Sequence, residues 1–144
     1  MRVVVSEADY DLGAEAARLE AGQAGAVVTF TGRVRDVEGG LRHMEIEHYP
    51  GMTERALTDM ADQAVKRWDL TGATIVHRHG TLAPGARIMM VATAARHRAA
   101  AFAAAEFLMD YLKSRAPFWK KEVTSEGAEW VEAATRDEDA LTRW

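Results

Sequence analysis

Lys113, Arg115, Lys120 and Lys121 place four cations within nine residues of a chain whose formal net charge is −4. The same stretch, Tyr111 to Glu122, holds Pro117 and the aromatic pair Phe118-Trp119. Proline lacks an N–H and clashes with the preceding turn, so it ends a helix. Lys113 therefore closes a helical pattern and Lys120 lies in the extended run beyond the break. Amines from two elements can hold an anion or move a proton. A lysine set among apolar side chains with a second cation beside it has a lowered pKa, and such a lysine is a base or nucleophile near neutral pH. The plainer reading stands beside this one. Lys113 suits the negative end of a helix dipole, and Lys120 and Lys121 are ordinary solubilising residues.

Two further basic groups have spacing that suits an anion. Arg33-Val34-Arg35 ends an apolar strand, where residues i and i+2 share a face. Paired guanidinium forks match phosphate, although Asp36 and Glu38 are equally available as simple ion-pair partners. Arg96-His97-Arg98 opens an alanine-rich helix. Free N–H groups and the dipole attract anions there, whereas cations do not help the helix, so local stability does not explain the two arginines. His97 offers an imidazole that can contact a ligand or donate a proton. His77 and His79 share one strand face and form a metal-like pair. No carboxylate or third histidine lies near them in sequence, so no metal site is expected. Glu45 and Glu47 read as a solvated strand face, and Met52, Met60 and Trp68 as core.

These groups must be positioned by about ten elements. Arg2–Val5 reads as a strand and Asp11–Glu20 as a short helix punctuated by Gly22 and Gly25. Ala26–Thr31, β-branched and apolar, reads as a buried strand. Glu38-Gly39-Gly40 turns into Met44–Tyr49, which alternates at period two. Pro50-Gly51 stops that strand, and Thr53 with Glu54 predicts a helix start. Ala56, Leu57, Met60, Ala61, Ala64, Val65 and Trp68 form its apolar stripe. Ala73–His77 and Arg87–Thr93 read as strands separated by the turn at Pro84-Gly85. A helix follows from about Arg96 to Lys113. Phe118–Val123 and Glu129–Val131 are extended, and the charged tail from Thr135 to Trp144 reads as peripheral. Strands and helices in this order predict an α+β arrangement.

Composition narrows the function classes. A chain of 144 residues fits one domain with a sizeable core. An acidic balance argues against a general nucleic-acid binder, which needs a broad basic surface. The absence of cysteine removes disulfides, thiolate metal sites and cysteine nucleophiles. The N-terminus is too short and too soon acidic for a signal peptide. Ala99–Leu112 carries Glu106 and Asp110 and falls short of a bilayer span. A cytoplasmic protein without membrane attachment is expected. The dinucleotide, phosphate-loop, zinc-protease and serine-hydrolase signatures do not occur.

Several unusual blocks occur in a fixed order: Gly25–Arg35, Glu47–Thr53, Val76-His77-Arg78, Pro84-Gly85, His97-Arg98, Met109–Lys113, Ala116–Glu122, Gly127 and Trp130-Val131. With them the chain resembles the large, catalytic subunit of molybdopterin synthase, from roughly Gly25 to Val131 and weakly before Gly22. The resemblance implies an α/β-hammerhead-type domain with an added antiparallel β subdomain, one domain over residues 1–144. It implies sulfur transfer from the C-terminal thiocarboxylate of a small ubiquitin-like partner subunit, at its Gly-Gly tail, to cyclic pyranopterin monophosphate. The product is the dithiolene of molybdopterin, made by a heterotetramer built on a homodimer of large subunits. By the same resemblance Lys113 and Lys120 are catalytic, and no metal or resident cofactor is needed. Arg33, Val34, Arg35, His97, Arg98, Lys113, Lys120, Lys121 and Glu122 bind substrate, with Arg35, His97 and Arg98 on the phosphate. The chain ends in Leu141-Thr142-Arg143-Trp144, not Gly-Gly, so sulfur must arrive on another chain. The loop Val37–Leu41 is short, and Arg96 and His79 match no family role.

Overall fold

Alternation and helical stripes resolve into two sheets and a pair of long helices in the computed structural model, which describes residues 1–131 and 135–144. The order is β1 (Arg2–Ser6), α1 (Leu12–Ala17), β2 (Ala26–Arg33), β3 (Leu41–His48), α2 (Met52–Trp68), β4 (Gly72–Arg78), β5 (Gly80–Leu82) and β6 (Arg87–Ala95). It continues with α3 (Arg98–Ser114), β7 (Phe118–Thr124), β8 (Gly127–Trp130), α4 (Thr135–Ala140) and a short 3₁₀ turn, Leu141–Arg143. One sheet has the strand order β1-β4-β6-β2 and the other β5-β3-β7-β8. Among the described residues only β1 with β4 runs parallel; the other pairings are antiparallel. The α+β expectation holds. Among the described residues no helix is long and apolar enough to cross a membrane.

Helices α2 and α3 pack on each other and on the first sheet. Leu57, Met60, Ala61 and Ala64 recur at i, i+3, i+4 and i+7, so α2 buries one stripe. Ala101, Ala104 and Ala105 of α3 are buried with Phe107 and Leu108. Their short side chains bring the α3 backbone down onto β6, close enough for Thr93 Oγ1 to donate to the Ala101 carbonyl at 2.6 Å. Each fully buried leucine, such as Leu57 or Leu108, contributes about 2 kcal/mol.

Two joints position the basic groups. After Ser114 only three residues separate α3 from β7. Arg115 N–H still bonds to Tyr111 O at 2.7 Å, and Phe118 N–H then turns back to Ala116 O at 2.8 Å. β7 pairs along β3 with Phe118 opposite His48 and Lys120 opposite Ile46. The second joint is Gly25, where an added Cβ would lie 2.2 Å from the Arg96 carbonyl oxygen. No side chain fits, so the start of β2 and the approach to α3 meet there.

The tertiary structure corrects several expectations. β2 is an edge strand, not a buried one, with Thr29 exposed and Phe30 43% exposed. Met52 is 52% exposed instead of in the core, while Met60 is buried. α3 begins at Arg98, with His97 as its N-cap residue. Gly51, at φ 84°, takes the cap of α2 expected of Thr53, and its N–H bonds to Glu54 Oε2 at 2.6 Å. Thr53 lies inside the helix and donates its hydroxyl to Tyr49 O. The strand β5 and the helix α4 were not legible as elements. The tail is not peripheral. Trp144 packs edge-on against Trp68 and Phe107, its indole N–H donates to Asp110, and Arg143 pairs with Glu106 and Asp110.

Candidate functional site

Lys113 in the last turn of α3 and Lys120 in mid-β7 converge. Both line a cavity of about 440 Å³ together with His77, Ser114, Pro117, Phe118, Trp119, Trp130, Val131 and Asp137. Both also line a smaller cavity of about 90 Å³ with Phe30, Gly32, Arg33, His77, Met89 and Met109. The lysine pair, His77 and Leu112 thus line both openings and form the wall they share. The break at Pro117 reverses the chain over three residues, and this brings the two amines to one place.

Their surroundings differ. Lys113 is exposed, whereas Lys120 is largely covered. Burial pushes the Lys120 pKa down to about 8; the charge of Lys113 adds to this and Asp137 opposes it. An ammonium here loses hydration and faces a like charge, so the neutral amine is populated near physiological pH. Lys120 can then accept a proton or, once charged, return it.

His77 is buried, at 4% exposure. Its ring stacks on Phe118 with centroids 3.6 Å apart and planes at 14°. Its Nδ1 lies 2.7 Å from the Arg78 carbonyl, which can only accept, so Nδ1 carries the proton. Burial drives its pKa down to about 3, the Arg78 bond opposes this, and Lys120, Lys113 and His48 contribute further lowering. The ring is neutral in the working pH range. His79 lies beyond the end of β4, against His48 at 4.4 Å between centroids. The two histidines that read as a metal pair therefore take different ring partners, Phe118 for His77 and His48 for His79. Among the described residues no group of three metal-ligating side chains occurs.

The remaining basic groups divide. Arg33 lines the smaller cavity, with its Nε donating to Gly85 O at 3.2 Å. Arg35 is exposed one strand-step further on. Val34 between them is buried at 2%. Its N–H and C=O are taken by Ala86 and Gly85, so it anchors the two arginines and presents no side chain to either cavity. Lys121 points to the other face of β7, 3.6 Å from Glu45 and over the Trp130 ring. Glu122 lines neither cavity. His97 and Arg98 are exposed at the opposite end of α3, whose 17 residues span about 25 Å. One copy of the chain does not bring them to its own lysines.

Sequence reasoning missed His77 as a cavity residue and missed Ser114, whose buried Oγ has no partner among the described residues. A polar signal for His77 was available. It closes the otherwise apolar run Ile75-Val76 in a buried strand.

Comparison with known proteins adds an independent line. The family model described as MoaE protein matches residues 5–115. The molybdopterin synthase catalytic subunit of Cereibacter sphaeroides is 64% identical, with all of both chains covered. Among solved structures, the molybdopterin biosynthesis MoaE protein from Burkholderia ambifaria superposes with TM-score 0.85 at 49% identity, covering 100% of this chain and 98% of that one. Molybdopterin synthase from Staphylococcus aureus superposes with TM-score 0.83 at 30% identity, covering 90% and 95%.

Proposed function

The chain belongs to the MoaE protein family, and we propose that it is the catalytic subunit of a molybdopterin synthase in which Lys113 and Lys120 carry the chemistry. It is a sulfurtransferase of molybdenum cofactor biosynthesis. A small ubiquitin-like subunit delivers sulfur as a C-terminal thiocarboxylate, and cyclic pyranopterin monophosphate receives it. The observation that carries the assignment of residues is the shared wall: two amines from opposite sides of Pro117, one exposed and one largely covered, between two openings.

In this reading a partner tail and a small-molecule substrate meet at the lysines. The larger cavity, walled by Pro117, Trp119, Trp130 and Val131, accommodates an extended tail. The smaller one, with Arg33 at its rim, faces the small molecule. Lys113 offers a charge to the anionic tail. Lys120, poised between amine and ammonium, takes and returns protons as carbon–sulfur bonds form and the acyl–sulfur bond is hydrolysed. Arg35 and Arg33 hold the anionic end of the substrate, Val34 fixes their direction, and Lys121 and Glu122 order the β7 edge of the site. His97 and Arg98, about 25 Å away along α3, serve a site only when a second copy presents them, which suits a homodimer of large subunits. We read residues 1–144 as one domain working in a cytoplasmic heterotetramer.

The test combines this protein with a thiocarboxylated small subunit and the cyclic precursor. Dithiolene product is expected. Its absence, with the small subunit demonstrably bound, overturns the assignment.

A further inference from the structure

His77 is a buried polar group that the reading above leaves without work. It lines both cavities, as Lys113 and Lys120 do, and feels the charge of each. One ring nitrogen is fixed as a donor to the Arg78 carbonyl. The ring plane is held by the stack on Phe118. With Nδ1 protonated and the ring neutral, Nε2 is an acceptor only. Among the described residues no side chain or backbone group bonds to it, and it is not one of the sealed, unpartnered atoms of the interior, which are Tyr10 Oη and Ser114 Oγ. Nε2 therefore opens to the cavity. A neutral acceptor with fixed direction at the floor of a cation-lined site discriminates among ligand groups. It repels the lone pairs of a phosphate or carboxylate and receives an N–H or O–H.

We propose that His77 is a substrate-binding residue whose Nε2 accepts a hydrogen bond from a neutral N–H or O–H of the small-molecule substrate, orienting its donor-bearing part inward and its anionic part toward the arginines. The proposal rests on the reading of the lysine-lined cavity as the substrate site. Burial keeps the imidazole uncharged, with its pKa pushed down to about 3, so this acceptor is available near neutral pH. A carboxylate in its place would accept equally well but would neutralise the lysines beside it.

The experiment compares the wild-type protein with His77→Phe and His77→Gln. Phenylalanine preserves the stack on Phe118 and removes both nitrogens, whereas glutamine restores an acceptor oxygen. Binding of cyclic pyranopterin monophosphate and of the thiocarboxylated small subunit is measured separately by calorimetry, with folding monitored by circular dichroism. His77→Phe is expected to weaken precursor binding about tenfold, the loss of one acceptor opposite a buried donor. His77→Gln recovers part of that loss, and affinity for the small subunit is unchanged in both. Wild-type precursor affinity in a folded His77→Phe overturns the proposal and leaves the cavity assignment standing. Equal losses of precursor and small-subunit affinity in both variants show a merely structural residue and also overturn it. Failure of the wild-type protein to bind the precursor removes the cavity assignment itself, and the proposal with it.

Discussion

Replacing Lys120 by methionine removes an amine that folding forces out of water. In the unfolded chain its pKa is the ordinary 10.5, and in the folded protein burial and Lys113 bring it to about 8. The difference corresponds to roughly 3 kcal/mol of folding free energy lost at pH 7. The folded pKa lies below the unfolded one, so between pH 8 and 10.5 the unfolded chain binds more protons. Stability rises with pH across that window, and below pH 8 the full cost is present. Methionine has a similar shape and no charge. Allowing for water around a partly accessible amine, Lys120→Met should stabilise the protein by about 2 kcal/mol at pH 7, or roughly 5–8 °C in Tm. The gain should nearly vanish by about pH 10.5, where the folded wild-type side chain is already neutral. Urea denaturation at fixed protomer concentration, at both pH values, measures this. The same variant should show no dithiolene formation. Equal stability at pH 7, or a gain of the same size at both pH values, would refute the view that Lys120 is held at a folding cost. Retained turnover would refute its role in proton transfer.

Other consequences are open to direct measurement. Lys113→Ala should abolish turnover without unfolding the protein and should raise the Lys120 pKa, because a neighbouring positive charge is removed; NMR titration of the Lys120 side chain reads the shift. Lys120→Arg keeps the charge but cannot release its proton, so turnover should fall by a hundredfold or more, on the order of a lost general base, while binding of the small subunit persists. Gly25→Ala should cost about 1–3 kcal/mol in denaturant unfolding, since the added carbon meets the Arg96 backbone and not a movable side chain. Trp144→Ala should lower stability by about 2 kcal/mol through loss of the Trp68 and Phe107 contacts, leaving activity per folded molecule unchanged.

Read alone, the sequence already determined much of this protein. Pro117 had to end the helix that carries Lys113, because proline offers no N–H to continue it. The period-two pattern of Met44–Tyr49 and the stripe from Leu57 to Ala64 specified a half-wet strand and an amphipathic helix, because those periods are the geometry of the elements themselves. The ordered blocks around Arg33–Arg35, His97-Arg98 and Ala116–Glu122 specified the family. What the sequence did not determine depends on which surfaces meet. Ala26–Thr31 has the composition of a buried strand, yet it lies at a sheet edge, since composition records apolar character and not the number of neighbours. Trp144 looked like the end of a loose tail until α3 offered it Phe107 and Asp110. His97 and Arg98 stand near Lys113 in any list of cations, but the length of α3 separates them within one chain. Only the pairing of β7 with β3, after a three-residue reversal, brings Lys120 beside Lys113. Only the packing of Phe118 on β4 seals His77 into the wall they share. Charge, pKa and hydrogen-bonding capacity at this site are properties of the burial and proximity created there, and linear order does not contain them.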